Sequence, residues 1–194
     1  MLRLKAPQRR QQLMTVATRL FAKWGYEATT TAAIADAAGV TEPILYRHFK
    51  AKQELFVAIV RDMSDQTVRH FHDLAAPISD PAEKLRAIAR GFPDHLRRLS
   101  DAYQVIHGAL ATSRDRKVLA VIREHYQQIE EFFADLIRQG QQSGIFRPHD
   151  DPHIHAWHLI NLGIGYAMIS LNLPHLDSFT GIDAIESVVR GLKN

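Results

Sequence analysis

The 194-residue sequence contains no cysteine, which excludes a disulfide framework, a thiol nucleophile and any cysteine-ligated zinc or iron–sulfur centre. It has few signals for β-structure: alternating runs bounded by hairpin dipeptides are missing, while apolar residues recur at three-and-four spacing. No nucleophile elbow, phosphate-cradling Gly-rich loop, HExxH pair or kinase-type signature is present, so catalysis and a bound cofactor are not expected. The opening MLRLKAPQRRQQ is basic but has neither the apolar core nor the small-residue cleavage site of a secretory signal. With the missing cysteines, this points to the reducing cytoplasm. The most apolar stretch, Ile154 to Leu173, is interrupted by His155, His158, Asn161, Ser170 and Asn172. That many polar groups would cost several kcal/mol in hydrocarbon, so the stretch reads as a buried helix and no membrane partner is expected.

What is present suits a folded chain: 46% of residues are hydrophobic and 23% charged, near the globular average. The net charge of +3 is unevenly placed. Residues 1 to 60 hold nine Lys/Arg (Arg3, Lys5, Arg9, Arg10, Arg19, Lys23, Arg47, Lys50, Lys52) against four acids (Glu27, Asp36, Glu42, Glu54), a local +5, and the remainder carries −2. A positive end facing a negative polymer accounts for that asymmetry.

The periodicity predicts an all-α chain. A first helix runs from about Arg9 to Trp24, with Leu13, Val16, Ala17, Leu20, Phe21 and Trp24 on one stripe and Gly25 at its end. A short helix follows Thr30 or Thr31 and stops at Gly39; Thr41 caps a second, with Pro43 in its first turn and Leu45 and Phe49 inward. A longer helix starts near Ala51. After the break LAAPISDP (residues 74 to 81), further helices are expected over Ala82–Leu99, Ala102–Thr112, Lys117–Gln142, Ile154–Leu173 and Ile182–Leu192. The division expected is a DNA-binding head, residues 1–52, on a helical body, residues 53–194.

Two short helices joined by a Gly-containing turn form a helix-turn-helix pattern, in which the second helix enters the major groove. The string TTTAAIADAAGVTEPILYRHFKAKQELF, residues 29 to 56, resembles the TetR family of regulators. The likeness rests on the threonines, Ile34-Ala35, the Ala38-Gly39-Val40 turn, Thr41, the Leu45-Tyr46-x-His48-Phe49 block, and Lys52 followed by Leu55. The resemblance implies a three-helix DNA-binding domain, a C-terminal ligand-binding and dimerisation domain, and repression of transcription relieved by a small molecule. It assigns Thr31, Thr41, Tyr46, His48 and Lys52 to the DNA surface, with Thr31, Thr41 and Lys52 on phosphates. Base reading then falls to Glu42, which can accept from cytosine N4, and to Pro43 and Tyr46 on thymine methyls, with Arg47 at the groove edge or on a phosphate. Tyr46 could instead pack the head against the body, and Glu42 could favour the positive end of its helix. Two departures from the family pattern are Ala51, where a capping Ser is common, and the short Ala32-Ala33.

The helix from Ile154 is apolar nearly all round: Trp157, Ile160, Ile164, Met168 and Leu171 share one face, and Leu159, Leu162, Tyr166, Ile169 and Leu173 another. One face serves the core and the other a second copy, so a homodimer through the last two helices is expected. The resemblance also implies an effector cavity of unspecified chemistry. Phe92, Tyr103, His107, Trp157 and Asn161 are its candidate lining, each bringing aromatic area or a polar handle to an apolar helix. His149, Asp150, Asp151, His153, His155 and His158 cluster in sequence, but a loop and helix start hold such residues anyway, and no metal site is expected.

Overall fold

The computed structural model describes residues 5–173 and 181–193. These form nine helices: α1 (Ala6–Trp24), α2 (Thr31–Ala37), α3 (Glu42–His48), α4 (Lys52–Ala75), α5 (Pro81–Arg98), α6 (Ser100–Thr112), α7 (Arg116–Gln142), α8 (Pro152–Asn172) and α9 (Gly181–Leu192). Among the described residues, extended pairing is limited to an isolated antiparallel bridge between Phe146 and Lys193. The all-α expectation is met. No helix among the described residues is long and apolar enough to cross a membrane.

The helix ends follow from local chemistry. Gly25, at φ 83°, closes α1, and its N–H donates to the Phe21 carbonyl. The Thr30 hydroxyl accepts from the Ala33 amide, 3.1 Å away, and caps α2. Asp80 caps α5 by accepting from the Ala82 and Glu83 amides, and Asp151 caps α8 by accepting from the His153 amide. At α3 the outcome differs: Thr41 has the extended backbone of a cap, but its side chain makes no capping bond. Pro43 near the start of α3 removes one amide that would otherwise need a partner.

The helices pack as two compact units. One comprises Met1–Met63 with Asp101–Arg123, the other Ser64–Ser100 with Glu124–Asn194. Compactness thus groups the head with α6 and the start of α7.

In the first unit, Leu13, Ala17 and Phe21 of α1 are buried, as are Ile34, Leu45, Phe49, Leu55 and Phe56. Phe21, Tyr26 and Phe56 form an aromatic cluster, with Tyr26 and Phe56 edge-to-face at 4.9 Å. Gln53 of α4 donates to Asp115 at 2.5 Å. Asp115 also accepts from the Lys117 and Val118 amides that open α7.

The second unit has a large apolar core running from Phe71 through Leu85, Phe132, Phe133 and Ile137 to Phe146, Leu159, Val189 and Leu192. Arg86 holds Glu186 through two bonds of 2.6 and 2.9 Å, joining α5 to α9. After α7 the chain turns back on itself. The Ile145 and Phe146 amides both donate to the Gly140 carbonyl, and the Arg147 amide to Leu192. A row of polar side chains also lies inside: Ser64, Thr67, His95 and His125 are all buried. The Ser64 hydroxyl donates to Gln128 at 2.6 Å and lies 3.1 Å from His125 Nδ1; Thr67 Oγ1 is 3.0 Å from His95 Nε2.

Helix α8 divides differently from the sequence expectation. Ala156, Leu159, Ile160 and Ala167 face the core, whereas Ile154, Trp157, Met168, Ile169 and Leu173 are exposed. The sequence pattern instead places Trp157 and Met168 on the face of Ile160. A helix apolar all round gives little contrast from which to fix its rotation.

Candidate nucleic-acid interface

The turn between α2 and α3 is built by backbone bonds. Gly39 has φ 66°, a left-handed conformation that side chains oppose. The Gly39 amide donates to Asp36 and the Val40 amide to Ala35, both at 2.9 Å, which together close α2 in a Schellman motif. Gln12 of α1 donates to the Ala38 carbonyl at 3.3 Å, satisfying another acceptor at the same end.

α3 is anchored by Leu45 and by Phe49 just beyond it, both fully buried. The Arg10 guanidinium lies 4.6 Å from the Phe49 ring centroid. With those two residues inward, Thr41, Pro43, Tyr46 and Arg47 are exposed, and Glu42 and His48 half-buried. Tyr46 is 46% exposed, and its hydroxyl lies 3.2 Å from that of half-buried Thr31. The residues expected to meet DNA therefore gather on α3 and the facing start of α2, with an exposed cation, Lys50, beside them. This is the geometry by which a helix presents side chains to a groove about one helix wide.

Lys52 is placed differently from the others. Its Nζ donates to the carbonyls of Tyr26, Glu27 and Thr29. At the start of α4, Ala51 leaves no side-chain cap, and Glu54 instead accepts from the Lys50 amide at 2.7 Å. Arg10 and Gln12 were missed as contributors. Arg10 had counted only as charge, and no pattern distinguishes a Gln that reaches a backbone carbonyl 26 positions away.

The five candidate effector residues are divided between the two compact units. Tyr103 and His107 lie in the first unit, with ring centroids 6.1 Å apart; Phe92, Trp157 and Asn161 lie in the second. Phe92 faces Gly163 and Tyr166, Trp157 is 38% exposed and 6.5 Å from Tyr126, and Asn161 is exposed. A groove of about 1000 Å3 in the second unit runs between α4 and α7, past Asp65, Arg69, His72, Glu131, Phe132 and Asp135, and none of the five lines it. Burial holds the His107 imidazole below its ordinary pKa, and its Nε2 is buried with no hydrogen-bond partner among the described residues. In the histidine-rich segment, His155 pairs with Asp150 at 3.2 Å and His153 with Glu130 at 3.1 Å. No group suited to holding a metal occurs among the described residues.

Comparison with known proteins agrees with the head's geometry. Residues 13–59 match the model of bacterial regulatory proteins, tetR family. The transcriptional activator FasR of Mycolicibacterium smegmatis is 36% identical over 104 residues, 54% of this chain and 48% of FasR, so the chain spans about half the length of that relative. The transcriptional repressor KstR2 of Mycobacterium tuberculosis is 26% identical over 143 residues, 74% of this chain and 72% of its own. In fold, the fatty acid degradation regulator FadR from Bacillus halodurans superposes with a TM-score of 0.78 at 16% identity, covering 97% of this chain and 95% of FadR. With the helix-turn-helix in place and its outward face intact, residues 13–59 carry the DNA-binding region of the tetR family of bacterial regulatory proteins.

Proposed function

We propose that the chain is a homodimeric repressor that binds a specific operator through α3 and is released from it by a small molecule. The observation that carries the DNA-binding part is the exposed α3 face: Thr41, Glu42, Pro43, Tyr46 and Arg47 point away from a core sealed by Leu45 and Phe49. Tyr46 and Pro43 offer apolar contact to thymine methyls, Glu42 an acceptor for cytosine N4, and Thr31, Thr41 and Arg47 contacts to phosphates. The names of the relatives, an activator and a repressor, support regulation. Repression follows the commoner family mode.

The test is selection of a duplex from a random-sequence pool by the full chain, followed by titration across salt. Binding should weaken steeply, with a slope of log K against log salt of about −3 or steeper, because each neutralised phosphate releases close to one counterion. Failure to enrich any sequence, or an affinity indifferent to salt, overturns the reading.

The dimer is supported by α8. Ile154, Met168, Ile169 and Leu173 are each more than 40% exposed, a row of large apolar side chains that a second copy would cover. The double variant Met168→Glu/Ile169→Glu should weaken self-association at least about tenfold, since facing copies would bury four like charges. Sedimentation equilibrium of the variant checks this, and an unchanged dimer assigns the interface elsewhere. The effector is supported by the buried Nε2 of His107, which has no hydrogen-bond partner among the described residues and so offers a hydrogen bond to a ligand. A thermal-shift screen with 5′-labelled operator release as the second readout identifies its class.

A further inference from the structure

Gln12 carries a hydrogen bond from α1 to the α2–α3 turn. Its Nε2 donates to the Ala38 carbonyl at 3.3 Å, and its Oε1 accepts from the Arg9 guanidinium at 2.5 Å. The second bond orients the first. A guanidinium can only donate, so it holds the amide oxygen on its own side and leaves the NH2 group facing the turn. We propose that Gln12 is a positioning residue: oriented by Arg9, it holds the Ala38 carbonyl and so sets the angle at which α3 is presented to the groove. The proposal rests on the DNA-binding reading above.

The backbone of the turn shows why this carbonyl matters. The Gly39 and Val40 amides are spent on the Asp36 and Ala35 carbonyls, which closes α2. The Ala38 carbonyl lies past those bonds, at the step into left-handed Gly39. From there the chain runs through Val40 to Thr41, whose carbonyl accepts from the Ile44 and Leu45 amides and so opens α3. Rotation of the Ala38–Gly39 peptide therefore carries α3 with it. Gln12 projects from a fixed frame, because its neighbours Leu13 and Met14 are buried. Arg10, on the same turn of α1, lies 4.6 Å from the ring of Phe49, just beyond the other end of α3. Helix α1 thus touches the chain on both sides of α3. The position needs an acceptor toward Arg9 and a donor toward the turn, and glutamine supplies both. Glutamate would set a second oxygen against the carbonyl, and methionine offers no N–H at all.

The experiment uses the full chain and the duplex it selects from a random pool, with a scrambled duplex of equal length as control. Affinity for both duplexes is measured for the wild type, Gln12→Met and Gln12→Glu. In the free proteins, NMR follows the Ala38 carbonyl carbon and the exchange of the Gly39 and Val40 amides. Both variants should lose about fivefold in preference for the selected duplex, the scale of one neutral hydrogen bond. The Ala38 carbonyl carbon should move upfield and the two amides should exchange faster. The added charge of Gln12→Glu weakens binding to either duplex, and the ratio of the two affinities removes that effect. Partial unfolding alone lowers both affinities and leaves their ratio at the wild-type value, which overturns the proposal. An Ala38 resonance that stays in place overturns it too. So does a Gln12→Glu variant that matches the wild type while Gln12→Met fails, since glutamate still pairs with Arg9 and the effect would then belong to that pair. If the wild type selects no duplex, the regulator reading fails, and the carbonyl shift and amide exchange still decide whether Gln12 holds the turn.

Discussion

Gly140→Ala is expected to destabilise the protein by about 3 kcal/mol, although alanine is worth about 1 kcal/mol more than glycine within a helix. A Cβ at this position of α7 would fall inside the van der Waals envelope of the Phe146 ring, and Phe146 is fully buried in the core of the second unit. The ring cannot retreat easily. The Ile145 and Phe146 amides are fixed on the Gly140 carbonyl at 2.9 and 3.0 Å, and the following amide, Arg147, on Leu192 at 2.9 Å. Overpacking against a rigid neighbour costs about 1–3 kcal/mol and more where relaxation is blocked. Phe146→Ala alone removes the ring and should cost about 3–5 kcal/mol. In the double variant the new methyl enters space the ring has left, so the combined loss should fall short of the two separate losses by about 2 kcal/mol. Urea unfolding of the four proteins measures this, and additive losses would show that the ring and the glycine do not share the space.

The helices were legible in the sequence because their ends carry their own chemistry. Gly25, Gly39, Thr30, Asp80 and Asp151 each act within a few residues of themselves, and observed helix limits fall within three residues of those expected. The inward face of α3 was legible for a similar reason, since Leu45 and Phe49 contrast with polar neighbours. Contacts that join distant positions left no such trace. The importance of Gly140 depends on where Phe146 returns, and that of Gln12 on a carbonyl 26 positions away. Lys52 offered only a charge beside a helix-turn-helix, and in that setting a charge suggests phosphate. In the free chain its partners are the main-chain oxygens of Tyr26, Glu27 and Thr29, which no side-chain pattern marks. The candidate effector residues stand out by type, aromatic area or a polar handle on an apolar helix, and two belong to one compact unit and three to the other. On α8 the difficulty was uniformity, because with apolar residues on all sides a core face and a face awaiting a partner look alike.

Acid should weaken the second unit well before carboxylates begin to titrate. His95 is 2% exposed, and burial, with nearby His70, Arg98 and His125 adding to it, lowers its pKa from 6.5 to about 4. Its ring stacks on His70 at 4.7 Å, and its Nε2 lies 3.0 Å from the Thr67 hydroxyl. Between these two values the unfolded chain binds a proton that the folded protein does not, so stability must fall as pH drops through 6.5 and stop falling, for this residue, near 4. The full loss corresponds to about 3 kcal/mol, with about 2 kcal/mol of it spent by pH 5. Buried His107 in the first unit acts with the same sign. The paired carboxylates Glu186 and Asp115 have lowered pKa values. Glu186 is held down chiefly by its bond from Arg86; at Asp115 the upward push of burial is outweighed by bonds from Gln53 and two amides. Their stabilising effect is lost only below the ordinary carboxylate range, so the window from pH 7.5 to 5 isolates the histidines. Urea unfolding at those two pH values should show the difference in the wild type and a clearly smaller one in His95→Gln, whose amide can still bond Thr67 but takes up no proton. A wild type equally stable at both values would mean that the interior opens to water around His95, and that the polar row within this core is solvated rather than sealed.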